Sequence, residues 1–81
     1  MTRLSEKEVL KIIQDIFEEK SIQISMDSSA ENTEDWDSLT QINIITELDE
    51  ALDGKVGELE EMAEADSMKK IFQILKDNSL I

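Results

Sequence analysis

The sequence predicts an all-α protein, a small four-helix bundle of three main helices and one short helix. The 81-residue chain contains no proline and only two glycines, and it is rich in Glu, Lys, Leu and Ile, which favour helix. Its apolar residues recur at spacings of three and four, the pattern of residues that share one helix face. The length predicts a single domain spanning residues 1–81.

The first helix is predicted to run from about Glu6 to Glu19. Ser5 and Glu8 have the spacing of a capping box, in which each side chain accepts a hydrogen bond from the other residue's backbone N–H. Behind the cap, apolar residues form a core-facing helical stripe: Val9, Ile12, Ile13, Ile16 and Phe17.

The segment from Lys20 to Asp37 is predicted to be a long ordered loop. Ile22, Ile24 and Met26 alternate like strand residues, but the chain has no second alternating run to pair with them. We therefore expect these three side chains to pack against the helices from an extended loop. Trp36, the only tryptophan, is expected at the rim of the bundle, and the alternative is that it faces a partner.

The second helix is predicted from Ser38 to Leu52 and ends at Asp53 and Gly54, because glycine is favoured just beyond a helix C-terminus. Val56 follows as an inward anchor. One predicted face is apolar and consists of Leu39, Ile42, Ile45, Leu48 and Leu52, widened by Ile44 and Ala51. The opposite face is predicted to carry Thr40, Asn43, Glu47 and Glu50.

Two further helices complete the predicted bundle. A short helix is expected from Glu58 to Ala65, with Leu59, Met62 and Ala63 on its apolar side. Asp66 or Ser67 is expected to cap a last helix that ends near Asp77 and Asn78. Its predicted core-facing residues are Met68, Ile71, Phe72 and Leu75.

Negative charge is concentrated in the middle of the chain. The formal net charge is −12, and the segment from Asp27 to Asp66 contains 14 acidic residues and a single basic one, Lys55. A field of this sign repels a phosphate backbone, so we expect no nucleic-acid binding. It attracts partners with a basic patch, at rates that fall as salt is added.

Two residue types that carry much of protein chemistry are missing. The absence of cysteine excludes disulfides, thiolate metal sites and a cysteine nucleophile, and the absence of histidine removes the commonest general base. No apolar run follows the basic residue near the N-terminus, and none approaches the length that spans a bilayer. We therefore expect no signal peptide, no membrane insertion and a cytoplasmic protein. Because one small bundle accounts for every apolar stripe, we also expect a monomer.

Ser38 occupies the predicted start of the second helix, where backbone N–H groups lack intrahelical partners and the helix dipole favours negative charge. A phosphate ester on its hydroxyl would be stabilised there. The alternative is a purely structural role, because Ser38 and Gln41 also have the spacing of a capping box.

One motif and its surroundings carry a family resemblance. Asp37-Ser38-Leu39 is followed at helical steps by Ile42, Ile45 and Leu48, and then by Val56 and a cap at Asp66-Ser67-Met68. In this order of capped helix, long loop, acidic helix, short helix and last helix, the chain resembles the acyl carrier protein family. The resemblance covers about Leu4 to Leu75 and implies an acyl-carrier-like bundle.

The resemblance implies a carrier protein rather than an enzyme. Ser38 would receive 4′-phosphopantetheine from coenzyme A, through a separate magnesium-dependent phosphopantetheinyl transferase. Asp37 would assist that transfer, and Leu39 would anchor the helix start. The arm would supply the thiol that the chain lacks and carry acyl or aminoacyl groups as thioesters between loading and transferring enzymes. A fatty cargo could enter the bundle between its aliphatic side chains.

The partner enzymes are expected to present basic patches to an acidic surface. The predicted partner-binding residues are Asp35, Trp36, Thr40, Asn43, Glu47, Asp49 and Glu50. The chain departs from the pattern of fatty-acid synthesis, because Asp35 replaces a usual glycine. Thr40 and Asn43 stand where that pattern has acids. Fatty-acid and polyketide pathways stay open, and a specialised pathway becomes a serious option, with an aminoacyl or hydroxyacyl cargo.

Two alternatives belong to other classes of function. An acidic helical adaptor without a prosthetic group would account for the charge alone. A single calcium loop over residues 49–60 would use Asp49, Asp53 and Glu60 as ligands, with Gly54 at the sharp turn. Ala51 stands at one ligand position of that loop and has no side-chain oxygen to offer.

Overall fold

The computed structural model describes residues 3–18 and 21–81 and consists of three α-helices and one 3-10 helix. The α-helices are α1 (Glu6–Glu18), α2 (Ser38–Ala51) and α3 (Met68–Asp77), and the 3-10 helix (Glu60–Glu64) lies between α2 and α3. The described ranges contain no strand, only an isolated bridge between Ser29 and Ser67. The Cα radius of gyration is 11.5 Å, close to the roughly 12 Å of a compact chain of this length. The prediction of a small all-helical fold is confirmed.

The capping box and apolar stripe predicted for α1 are both present. The Ser5 backbone N–H donates to Glu8 Oε1 over 3.0 Å, and the Glu8 N–H donates to Ser5 Oγ over 3.1 Å. Val9, Ile13 and Phe17 are fully buried. The predicted C-terminal residue, Glu19, lies outside the described residues.

The long loop is hydrogen-bonded to α1 and to the segment just before α3. The Gln14 side chain on α1 donates to the Ile22 carbonyl and accepts from the Ile24 N–H, each over 2.8 Å. Further along, the Ala30 N–H donates to the Asp66 carbonyl over 2.8 Å, just before α3. Ile24 is buried and Ile22 is half-buried, but Met26 is exposed. The expected packing is therefore confirmed for the two isoleucines and wrong for Met26.

The apolar face predicted for α2 is wrong in its first turns. Thr40, Gln41, Ile44 and Leu48 are the residues that α2 buries. Leu39 is 68% exposed and Ile42 is 57% exposed, while Ile45 is half-buried. The helix is thus rotated relative to the prediction. Its polar buried residues are tolerated because they find hydrogen-bond partners, which are described below.

The short helix predicted over Glu58–Ala65 is a five-residue 3-10 helix, Glu60–Glu64. A 3-10 helix has three residues per turn, so side chains three apart share a face. Accordingly Met62 and Ala65 are buried and Leu59 is half-buried. Ala63, which was expected on the apolar side, is exposed.

The last helix follows its prediction closely. Ser67 is the N-cap of α3, and its Oγ accepts a hydrogen bond from the Lys70 N–H over 3.2 Å. The predicted core residues Met68, Ile71, Phe72 and Leu75 are all buried, and the predicted anchor Val56 is fully buried beside them. No helix in the described part of the chain is both long enough and apolar enough to cross a bilayer.

Candidate functional site

Ser38 is exposed at the first position of α2, and the residue before it caps the helix. Asp37 has the extended backbone of an N-cap, and its Oδ1 accepts a hydrogen bond from the Thr40 N–H over 2.9 Å. The Asp37 carbonyl accepts the Gln41 N–H over 2.9 Å. The alternative in which Ser38 and Gln41 form a capping box is therefore wrong. Aspartate caps as well as serine does, and here it stands one residue earlier.

The turn that leads into α2 is fixed by a buried threonine. Thr40 is only 3% exposed, and its Oγ1 donates to the Asp35 carbonyl over 2.6 Å. Asp35 adopts a positive φ of 66°, a conformation that favours glycine, and its side chain is exposed. Asp35 is thus placed where a partner can reach it. Thr40 is buried, and its predicted role in partner binding stays a prediction.

Trp36 packs into the core instead of facing outward. It is 5% exposed, and its ring lies 5.7 Å from the Phe17 ring, centroid to centroid, at a tilt of 51°. Its Nε1 donates a 2.7 Å hydrogen bond to Gln41 Oε1. The indole is therefore turned inward and bonded, and the prediction that Trp36 contacts a partner does not fit this burial.

Gln41 joins three parts of the chain through one side-chain amide. Its Oε1 accepts from Trp36, and its Nε2 donates to the Met62 carbonyl over 3.1 Å and to the Ala65 carbonyl over 2.9 Å. We call this arrangement the Gln41 clamp. It ties the loop before α2 to the 3-10 helix, and Gln41 itself is 9% exposed. Removing one partner from a buried hydrogen bond costs about 1–3 kcal/mol for the group left behind.

A groove of about 780 Å³ opens beside Ser38, and we call it the Ser38 groove. It lies between α2 and the segment that runs from the 3-10 helix into α3. Its lining residues are Ala30, Trp36, Asp37, Ser38, Gln41, Ile42, Ile45, Ala63, Glu64, Asp66 and Lys70. The Gln41 clamp thus borders the groove, and a group attached to Ser38 has space along it.

Two charged side chains that line the groove, Asp66 and Lys70, are paired. Lys70 Nζ lies 2.9 Å from Asp66 Oδ1. The hydrogen bond and charge of Lys70 lower the pKa of Asp66 below its ordinary value, and Asp66 raises the pKa of Lys70 in the same way. Both groups are therefore ionised at neutral pH, and the groove contains a cation and an anion beside its apolar residues.

Leu39 and Ile42 form an exposed apolar ridge on α2, one helical turn apart and directly after Ser38. Together with Met26 they are the large hydrophobic residues that the described chain exposes. Leu39 is therefore exposed rather than packed at the helix start, and the anchoring role that the resemblance implied for it stays a prediction. Two exposed aliphatic side chains on adjacent turns offer a surface for another molecule.

The polar and acidic residues of α2 that were predicted to bind partners are placed differently from one another. Asn43, Glu47 and Glu50 are exposed on α2. Asp49 is half-buried, and its Oδ1 accepts a 2.6 Å hydrogen bond from the Gly57 N–H. A Cβ on Gly57 would lie 3.2 Å from that same oxygen, so the close approach favours glycine. Asp49 therefore holds the turn after α2, while Asn43, Glu47 and Glu50 are available to a partner.

The residues of the alternative calcium loop do not assemble into a binding site. Asp49 belongs to α2 and its carboxylate is bonded to Gly57. Among the residues that the structure describes, no three acidic, histidine or cysteine side chains are grouped as metal ligands.

Comparison with known proteins adds no relative to this picture. A scan against protein-family models, a search of curated proteins and a search of solved structures each find no match for the chain.

Two features of the site were not expected from the sequence: the Gln41 clamp and the exposure of the apolar ridge. Both follow from the rotation of α2. The one available signal was Gln41 itself, a polar residue with two apolar neighbours at positions 42 and 44, five residues after the only tryptophan.

Proposed function

We propose that this chain is an acyl carrier protein that bears 4′-phosphopantetheine on Ser38. The observation that supports this most directly is the division of roles at the start of α2. Asp37 caps the helix, so the Ser38 hydroxyl is exposed and has no capping task. A phosphodiester at this position lies against the N-terminal backbone N–H groups of a 14-residue helix, whose dipole favours negative charge.

The surroundings of Ser38 suit an attached arm. The Ser38 groove begins at this residue and gives the arm a surface on which to lie. Since the chain has no cysteine, a thioester requires a thiol from outside, and a phosphopantetheine arm supplies one. The order of α1, long loop, α2, short 3-10 helix and α3 also supports an acyl-carrier-like fold.

The partners of the carrier would be the phosphopantetheinyl transferase and the enzymes that load and unload the arm. Such enzymes would meet the apolar ridge formed by Leu39 and Ile42, with the exposed carboxylates of Glu47 and Glu50 on the same helix. Apolar contacts would supply affinity, and the carboxylates would steer basic patches toward Ser38.

Intact-mass measurement tests the proposal. Incubation with coenzyme A, magnesium and a broad-specificity phosphopantetheinyl transferase should add the mass of one phosphopantetheinyl group. Ser38→Ala should abolish the gain. Thr46→Ala, which removes another exposed hydroxyl from α2, should leave it unchanged.

A chain that gained no mass with several transferases would be assigned instead to the acidic helical adaptors. The exposed apolar ridge beside exposed acids is the observation that favours this second function. The ridge would then bind a basic, amphipathic partner without any prosthetic group.

A further inference from the structure

The Gln41 clamp lies where an acyl chain on the arm of Ser38 would have to enter the protein interior. The Ser38 groove is bordered by Trp36 and Gln41, and behind them lies the aliphatic core. To pass from the groove into the core, a chain must separate α2 from the 3-10 helix. The two hydrogen bonds from Gln41 Nε2 to the carbonyls of Met62 and Ala65 cross that gap.

We propose that the Gln41 clamp closes the core to long aliphatic chains, so that this carrier holds short, polar acyl groups in the open Ser38 groove. The inference rests on the proposed function of Ser38 and names the cargo class of the same site. Gln41 is a positioning residue in this scheme, because it acts on the helices that border the groove.

The cost of opening the clamp supports this assignment. The Gln41 amide makes three hydrogen bonds, one through Oε1 and two through Nε2. The described residues include no buried side-chain nitrogen or oxygen without a partner. Entry of an aliphatic chain would leave the Gln41 donors and two backbone carbonyls facing methylene groups, which cannot accept or donate hydrogen bonds. An aliphatic chain therefore cannot replace the hydrogen bonds that its entry breaks.

The groove itself favours a short and polar cargo. Its walls present the Asp66–Lys70 pair, the Glu64 carboxylate and the exposed side of Ile42. The apolar residues Ile45 and Ala63 also line the groove, so it can hold the carbon atoms of a short acyl chain. A hydroxyl or amino group on that chain finds hydrogen-bond partners in the charged side chains. The groove thus suits a short, polar acyl group, which the apolar core would exclude.

The reactivity of the loaded thioester with hydroxylamine measures where the chain lies. The transferase would be used to attach acetyl-, 3-hydroxybutyryl- and octanoyl-phosphopantetheine directly from the corresponding coenzyme A thioesters. Each rate would be divided by the rate for the free acyl pantetheine, which removes the intrinsic reactivity of the thioester. In the unmodified sequence the octanoyl and acetyl forms should show equal normalised rates, since neither chain is sequestered.

Gln41→Leu removes the amide while keeping the approximate size of the side chain. In this variant the octanoyl form should become several-fold slower than the acetyl form. Gln73→Leu changes an exposed glutamine on α3 and should behave like the unmodified chain. Trp36→Phe, which removes the indole N–H donor together with part of the ring, should give an intermediate slowing and serves if Gln41→Leu does not fold by circular dichroism.

Each outcome bears on one claim. Several-fold protection of the octanoyl form in the unmodified chain would overturn the inference and leave the proposed function standing. Equal rates in every variant would show that the clamp does not close the core. If none of the thioesters could be attached, the proposed function would be contradicted, and so would the inference that rests on it.

Discussion

Asp37 and Ser38 divide two tasks at the start of α2. The Asp37 carboxylate satisfies a free backbone donor of the first turn, with a 2.9 Å bond to the Thr40 N–H. Ser38 then occupies the first helical position with its side chain in solvent. Because Asp37 supplies the cap, the Ser38 hydroxyl is not needed to bond the first turn. The arrangement therefore leaves that hydroxyl accessible while the helix start stays capped.

Substitution of the two residues should separate these tasks. Asp37→Ala should lower the free energy of unfolding by about 0.5–2 kcal/mol, the value of a lost N-cap. Ser38→Ala should change it by no more than about 0.5 kcal/mol, as for an exposed residue without a structural role. Urea unfolding followed by circular dichroism measures both. Equal destabilisation by the two substitutions would contradict the claim that Asp37 alone caps the helix.

The helices differ in how far the sequence determines their orientation. The apolar stripes of α1 and α3 are narrow, and the faces predicted from them are the faces that are buried. On α2 six apolar residues cover a wide arc, so more than one rotation satisfies the pattern. The chosen rotation depends on bonds from Thr40 to Asp35 and from Gln41 to the 3-10 helix. Those partners are distant or irregular segments, and periodicity carries no information about them.

The same limit explains the short helix and the end of α2. The pattern predicted a turn of helix near Met62 but did not indicate 3-10 geometry. This helix contacts α2 and α3, and local propensity does not encode such contacts. The sequence predicted Asp49 to be a surface acid. It did not indicate the hydrogen bond to Asp49 from the Gly57 N–H, because Gly57 lies eight residues further along the chain. The position of Ser38 at a helix start was predictable because an acidic turn and a helical pattern meet there.

The rotation of α2 predicts opposite effects for apolar residues on its two sides. Replacing both Leu39 and Ile42 by Ala should leave the stability nearly unchanged and should weaken transfer by the phosphopantetheinyl transferase, mainly through KM. Ile44→Ala is the matched control, since Ile44 is fully buried. It should cost about 2–5 kcal/mol of stability. A large loss of stability in the double variant would mean that the ridge is packed in solution.

Charge on α2 should act on the rate of association. The described ion pairs do not involve Glu47 or Glu50, so both carboxylates are available to a basic partner. Reversal to Lys at both positions should slow association with the transferase, at about 0.2–1 kcal/mol for each pair lost. Stopped-flow measurements should show the difference shrinking as salt is added. Asp49 is left unchanged because its reversal would disrupt the turn at Gly57. An unchanged association rate would place the docking surface elsewhere.

At the scale of the whole molecule, negative charge works against the fold. The chain has a net charge of −12, and its described ion pairs join exposed side chains, which stabilise little. Repulsion among the acids is therefore incompletely offset within the chain. The same charge attracts basic partners, so recognition and stability oppose each other.

Salt and magnesium should raise the midpoint of thermal unfolding, because both screen this repulsion. A variant with Gln in place of the exposed residues Glu47, Glu50 and Glu58 should start from a higher midpoint and respond less. Differential scanning calorimetry over a series of salt concentrations measures the response. A midpoint that ignores both additions would show that the acids do not repel one another appreciably.

The direct measurement of carrier function is the position of the prosthetic group. Protein purified from the cells that naturally make it, digested and fragmented in a mass spectrometer, should yield the peptide containing Asp37, Ser38 and Leu39 with one phosphopantetheinyl group on Ser38. Loss of that group as the pantetheine fragment ion identifies it chemically. An unmodified Ser38 throughout the purified protein, or the group on a different serine, would contradict the proposal that Ser38 carries the arm.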